Sequence, residues 1–366
     1  MYFDRRILST FDWRMAGITL TLVCVGIITI WSGNLGSPSP VKQALYLRQS
    51  LWFILGIFGL LTGALVNYRT LARFAYPIYG VLLVLLLLVS VVGEAGYGAQ
   101  RWIRIGAWSL QPSEFMKLAL IIVLARYFED YKERLGDLRL LVVPAVVAAV
   151  PIFLILRQPD LGTAALLGLL TLSMLLLVGL RVKHLLLLTF AGATLAPVLW
   201  SFLKGYQRQR FMVFLYPQLD PLGAGYHITQ SKIAVGSGEL FGKGLKAASQ
   251  SQLNFLPASH TDFIFAVLAE QWGFIGCLII LLLYYFLVTR GLEIASDSRD
   301  LFGALMAFGI MAMMMVQLVV NIGMVLGVMP VVGVPLPLLS YGGSSLLVTC
   351  LGIGLVINVH MRRFIY

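Results

Sequence analysis

The chain has 366 residues, 59% of them hydrophobic and 12% charged, and carries a formal net charge of +11. Soluble domains carry about 25% charged residues, so this composition excludes an ordinary soluble domain, and a mean hydropathy of +0.90 agrees. The apolar residues fall into blocks of the length that crosses a bilayer, roughly 20 residues for a hydrocarbon core about 30 Å thick.

Taken in chain order, the charge-free blocks are 15–41, 49–68, 74–93, 140–156, 161–180 and 185–203, and 301–361 is long enough for two spans and a loop. Two further blocks, 111–127 and 262–289, are apolar but hold internal acids or a lysine. The expected fold is an all-α integral membrane bundle of about ten transmembrane helices, one domain over 1–366, with a long extracellular loop near 204–261. Asp4, Arg5, Arg6, Asp12 and Arg14 flank the first block and no small-residue cleavage site follows it, so it reads as a retained helix and not a signal peptide. The three cysteines, Cys24, Cys277 and Cys350, are odd in number and lack C-x-x-C spacing; core packing is expected of all three.

Lysine and arginine in the loops set the orientation. Fifteen of the 27 fall on the side of the N-terminus, so both termini are expected in the cytoplasm. The other side keeps twelve basic and seven acidic residues. That surplus suits an anionic ligand, or simply a solvated loop. Inner connections such as 129–140 and 290–300 are short. The outer ones, 93–115, 157–163, 204–261 and 327–345, are longer and rich in glycine, proline and aromatics, as functional loops are. Within them, "YHITQSKIAVGSG" can lie as an interfacial helix with Ile228, Ile233 and Ala234 facing the membrane. "SYGGSS" and "GSGELFGKG" have the composition of phosphate loops but not the Walker spacing, so nucleotide binding is not expected, and no nucleic-acid partner is.

Four spans open outside with a polar first turn: "QPSEF", "QPDLG", "SHTDF" and "SYGGSS". Pro112 and Pro159 suit the first helical position, and Ser259 with Asp262 matches a capping box. Several helix N-termini facing one compartment also suit an anion of diphosphate size. Glu114 and Lys117, three apart, can pair on one helical face. Glu270, eight residues beyond Asp262, needs a buried partner, Gln317 or Asn321 on the following span, or must be protonated.

"RWIRIGAWSLQPSEFMK", "QPDLGTA", "YQRQRFMVFLYPQLDPLGAGYHITQSKIAVGSGELFGKG", "HTDFIFAVLAE" and "NIGMVLGVMPVVGVPLPLLSYGGSS" together resemble the SEDS family of shape, elongation, division and sporulation proteins, nearer its rod-shape branch than its division branch. The resemblance implies a ten-helix bundle with an extracellular cavity that polymerises peptidoglycan from lipid II beside a class B penicillin-binding protein, the transpeptidase. Membrane lipids and other elongation-complex proteins are further implied partners, and the bacterial inner membrane the location. It places the essential aspartate on Asp262 and further functional positions on Trp102, Lys117 and Asp160, with Glu114 and His260 beside them. Two departures stand out. Gln271 replaces an acid found in many relatives, and Ser109 replaces an arginine found in some, for which Arg104 can substitute.

Making a β-1,4 link from an α-linked diphosphate inverts the anomeric carbon, so one base suffices where a retaining glycosidase needs two carboxylates. Asp262 is either that base or a ligand of a divalent cation, magnesium or manganese, bridging it to the diphosphate. Lys117, Arg101, Arg210 and Lys243 are the candidates for the diphosphate charge. A lipid II flippase is the alternative from another class; a transporter concentrates polar residues at the midplane, whereas here they gather at the outer ends. A structural scaffold for wall assembly would have no need of Asp262.

Overall fold

The structure is a computed structural model and describes residues 10–363 apart from 38, 93, 97–98, 107, 135–138, 180–193, 195–204, 217, 219, 221–222, 246–249, 251–254 and 257. Helix α1 (Trp13–Gly33) is followed by the short α2 (Pro40–Gln43), α3 (Leu45–Leu65), the short α4 (Tyr68–Arg73) and α5 (Ala75–Val92). Three strands follow, β1 (Glu94–Gly96), β2 (Ala99–Ile105) and β3 (Trp108–Leu110), then α6 (Pro112–Asp130), α7 (Arg139–Arg157) and α8 (Leu161–Leu177). The rest is α9 (Gly205–Leu215), α10 (Ala224–Ser237), α11 (Ile264–Ser296), α12 (Leu301–Val325) and α13 (Gly343–Arg362).

Five spans, α1, α2 joined with α3, α11, α12 and α13, are long and apolar enough to cross a membrane; 75–90, 141–157 and 161–177 are shorter apolar helices. The block 185–203, expected as a further span, lies outside the described residues. α6, α12 and α13 form the interior: α6 packs on α5, α8, α12 and α13, and α13 runs along α3. The outer helices turn Ile54, Phe58, Val81, Phe274 and Ile279 outward as exposed side chains. That inside-out pattern is what a hydrocarbon solvent permits, since lipid tails impose no penalty on exposed apolar surface. Cys24 shares it and is exposed, so only Cys277 and Cys350 meet the core-packing expectation.

Polar contacts divide between the two ends of the bundle. At the end holding the N-terminus of α1, Arg290 Nε meets Asp12 Oδ2 at 2.7 Å and Arg363 meets Asp297 at 2.6 Å. There too the Tyr68 hydroxyl donates to Asp300 at 2.9 Å. At the other end, 94–110 is not an irregular loop but a three-stranded antiparallel sheet, with Ile103 paired to Leu110 and Ile105 to Trp108.

α11 is broken at Gly273, whose φ of 66° and ψ of −165° belong to a region open almost only to glycine. The freed backbone groups are taken up by 239–244. Phe274 and Ile275 donate to the carbonyls of Glu239 and Leu240 at 2.8 and 3.1 Å; Lys243 and Gly244 donate to those of Glu270 and Gln271 at 2.9 and 3.0 Å. Irregular backbone inside a membrane bundle persists only when protein satisfies it in this way. Gly238 and Gly242 of "GSGELFGKG" thus serve close backbone approach: a Cβ on Gly242 would sit 2.2 Å from the Gln271 carbonyl oxygen.

α10, expected in the interface, packs against α11 and α12 instead. Ile228 and Ala234 are buried there, Ser231 Oγ donates to the Val325 carbonyl at 2.8 Å, and Ile233 alone of the three expected membrane-facing residues is exposed.

Candidate functional site

Residues 258–263 form a compact turn before α11, closed by Thr261 N to the Ala258 carbonyl at 3.1 Å. The segment 331–342 wraps it. Three successive carbonyls of the turn are each held from elsewhere. That of His260 accepts from Tyr341 N at 2.8 Å, that of Thr261 from Ser340 Oγ at 2.6 Å, and that of Asp262 from Asn321 Nδ2 at 2.9 Å. Ser340 is fixed in turn by accepting from Leu336 N at 2.8 Å.

The capping box that Ser259 and Asp262 match in sequence is not formed. The N-cap of α11 is Phe263, and no side chain caps it. Asp262 is partly exposed one residue earlier, its Oδ2 3.5 Å from where a Cβ of Gly333 would stand. Gly333 has φ 74°, so a side chain there would be strained as well as close to the carboxylate. His260 packs its ring on Tyr341, centroids 5.7 Å apart. Burial, helped by the charge of Lys42, pushes its imidazole down to about 4, so it is neutral at neutral pH.

From this turn a polar chain runs across the end of the bundle. Gln49, buried on α3, donates to the Ser340 carbonyl at 3.2 Å and accepts from Gly342 N at 3.3 Å. Ser344 at the start of α13 accepts from Gln111 N at 3.1 Å, and Gln111 Nε2 reaches Asp160 Oδ2 at 3.4 Å. Asp160 does cap α8, its Oδ1 accepting from Thr163 N at 3.1 Å. Pro159 therefore precedes the cap and does not occupy the first helical position expected of it, while Pro112 does occupy that position in α6. Arg101 lies 3.6 Å from Asp160 and donates to the carbonyls of Gln158 and Pro159, which ties β2 to the turn before α8. A Cβ on Gly162 would lie 2.5 Å from the Val332 carbonyl oxygen, so the Asp160 cluster and Asp262 flank one backbone segment, 332–334.

The other expected residues are distributed as follows. Glu114 and Lys117 form the expected ion pair at 2.7 Å, both almost wholly buried within α6. Trp102 is half-buried and Arg104 exposed on β2. Glu270 pairs with neither Gln317 nor Asn321; its Oε1 accepts from Gln250 N at 2.9 Å and lies 3.5 Å from Lys243 Nζ. Lys243 thus lies beside the broken part of α11. Gln271, in place of an acid, meets Ser32 Oγ at 2.8 Å. The side chain of Arg210 lies outside the described residues. Sequence reading missed Gln49 and the true partners of Asn321, and named no role for Gln111 or Ser340. The polar first turns "QPSEF" and "SYGGSS" were the signals for those two.

Residues 13–364 match the model of the FtsW, RodA and SpoVE family, described as cell cycle proteins. The chain is 43% identical to the peptidoglycan glycosyltransferase MrdB of Escherichia coli K12, over 96% of its length and 94% of the relative's. It is 33% identical to the peptidoglycan glycosyltransferase RodA of Treponema pallidum, over 97% and 98%. Among solved structures, the rod shape determining protein RodA of Thermus thermophilus superposes with a TM-score of 0.71 at 34% identity, over 97% and 98% of the two chains. A chain from a study of "structural coordination of polymerization and crosslinking by a peptidoglycan synthase complex" superposes at 0.82 and 36%, over the same shares. The match spans nearly the whole chain in sequence and fold alike: this protein belongs to the SEDS family, the family of FtsW, RodA and SpoVE.

Proposed function

We propose that this chain is a peptidoglycan glycosyltransferase that polymerises lipid II at the outer face of the bacterial cytoplasmic membrane, with Asp262 accepting the proton of the attacking hydroxyl. The observation that carries the role of Asp262 is its setting: a carboxylate on a turn whose three carbonyls are all pinned, standing before its helix and not capping it. Such preorganisation is what a group that must act in one geometry requires. The names of relatives at 43% and 33% identity support the reaction class.

In the reaction, the 4-hydroxyl oxygen of the acceptor sugar attacks the anomeric carbon of the donor and its proton passes to Asp262. The bond from that carbon to the diphosphate breaks, and the electron pair leaves with polyprenyl diphosphate. One displacement inverts the centre, so one base suffices. Arg101 keeps 28% of its side chain exposed while bracing the 158–160 turn, and so can still meet an anion. Lys117, 2% exposed, reaches only a group that enters the bundle. Arg210 and Lys243 stay candidates for the diphosphate, and Trp102, Glu114, Asp160 and neutral His260 for the sugars. Among the described residues no three His, Cys, Asp or Glu gather. Asp262 would be the residue to hold a magnesium or manganese ion, which would supply charge neutralisation for the leaving group.

The same reading takes a class B penicillin-binding protein as the crosslinking partner, in the company of elongation-complex proteins and membrane lipids. It puts both termini in the cytoplasm, the loop 204–261 outside, and a single domain over 1–366. A flippase fits less well, because the polar chain from Asp262 to Arg101 occupies one end of the bundle and not its middle. Purified protein, with and without the transpeptidase, should convert lipid II in detergent into glycan strands resolved on a gel. Detergent offers no second leaflet, so a flippase yields nothing there. Absence of polymer with the partner present, beside headgroup translocation in liposomes, would overturn the assignment.

A further inference from the structure

We propose that Asn321 is the positioning residue of Asp262, setting both the direction of its carboxylate and the wall the carboxylate faces. Asn321 is fully buried on α12, and its Nδ2 donates to two carbonyls: Asp262 at 2.9 Å and Val334 at 2.8 Å. Both acceptors are carbonyl oxygens, so the amide has one satisfying orientation and both hydrogens of the nitrogen are used. Those carbonyls belong to segments 72 residues apart, the turn that ends at Asp262 and the stretch that contains Gly333. One side chain therefore couples them.

The geometric consequence is specific. The direction of the Asp262 carbonyl fixes ψ at that residue, and the carboxylate springs from the same Cα. The carboxylate is also set against Gly333, next to the second carbonyl that Asn321 holds. Without the amide, ψ at 262 is released and the 333–334 backbone can shift, so the carboxylate and its wall both move. The preceding carbonyls of His260 and Thr261 keep their own partners, Tyr341 N and Ser340 Oγ. The turn should therefore stay folded while its last residue loses its aim. Further polarity lies below. Asn321 Oδ1 and both amide atoms of Gln317, four residues earlier on the same helix face, are buried without a protein partner among the described residues. They form a patch roomy in unmet hydrogen bonds, of the kind ordered water fills, and one that leaves Asn321 no other protein group to brace against.

This inference rests on the reading of Asp262 as the base, and the experiment separates the two. The full chain with its transpeptidase partner is assayed for lipid II polymerisation as wild type, Asn321→Leu, Asn321→Asp and Asp262→Asn. Asn321→Leu removes the donor at similar volume. Its kcat per folded molecule should fall about a hundredfold, the scale of a 1 Å misplacement, with KM nearly unchanged and a melting temperature lowered by the two acceptors left without their donor. Asn321→Asp can donate only when protonated, so its rate relative to wild type should rise as pH falls, which a merely structural role would not produce. An Asn321→Leu protein within about threefold of wild type, while Asp262→Asn is dead, would overturn the positioning role and leave the base standing. An active Asp262→Asn would overturn both. If Asn321→Leu fails to fold, the Asn321→Asp profile decides: a flat rate ratio across pH sinks the proposal.

Discussion

Glu114 Oε2 and Lys117 Nζ lie 2.7 Å apart on α6, with 5% and 2% of their side chains exposed. Removing one partner of such a buried pair leaves the other charged and unsolvated, at a cost of about 3–5 kcal/mol. Glu114→Ala and Lys117→Ala should each lower the melting temperature sharply and reduce the yield of folded protein. Reversing both charges should recover most of the folded yield but little polymerisation, because the cation then sits one turn nearer the start of α6. Full recovery of glycan synthesis in the double swap would show the pair to be structural only.

Asp262 provides the opposite separation of stability from activity. Since Phe263 and not Asp262 is the N-cap of α11, Asp262→Asn and Asp262→Ala should escape the loss of about 1 kcal/mol expected for a lost cap. Both should abolish polymer, since neither can take a proton. Glycan at near-normal rate from Asp262→Asn, measured on lipid II in detergent, would refute the catalytic assignment.

The break in α11 predicts a strictly local constraint. A Cβ on Gly273 would stand 2.3 Å from Gly242 N, at backbone angles other residues avoid. Gly273→Ala should cost about 1–3 kcal/mol and loosen 239–244 from the helix. Limited proteolysis should then cut near Leu240 and Phe241, both exposed already, faster than in wild type. Unchanged cleavage and melting would mean the helix can close over the gap.

His260 sets a pH dependence whose sign follows from its lowered pKa. The unfolded imidazole titrates near 6.5 and the folded one near 4. Between these values the unfolded state binds the extra proton, so stability is fully present above about 6.5 and falls as pH drops toward 4. His260→Gln should flatten the melting temperature across that window relative to wild type. A parallel decline in both proteins would assign the acid lability elsewhere.

Orientation is open to direct chemical labelling. In a cysteine-free background, Phe255→Cys should react with an impermeant thiol reagent in intact spheroplasts, and Tyr131→Cys only after lysis. Both native side chains are exposed and lie on opposite sides of the expected topology. The reverse pattern would place the Asp262 turn in the cytoplasm and overturn the outer-face assignment of the proposed reaction.

The sequence alone determined the solvent and the family. A bilayer imposes length and polarity on each span separately, so the apolar blocks were legible without any contact between them. Motifs such as "HTDF" and "QPSEF" are local strings, and the pairing of Glu114 with Lys117 follows from three residues' spacing along one helix. What the tertiary structure decided is every partner across the chain. Gln49 reaches Ser340 over 291 positions, Gln111 reaches Ser344 over 233, and Asn321 holds Asp262 from 59 positions away. Periodicity says which face of a helix is buried but not which loop folds over its end. Glu270 was therefore expected to bond to α12 or to be protonated, and it pairs beside a helix break that one glycine permits. Asp262 matched a capping pattern as well as the family's aspartate because both are local strings; only packing showed a turn held by three distant donors, with the helix beginning one residue too late for it to cap.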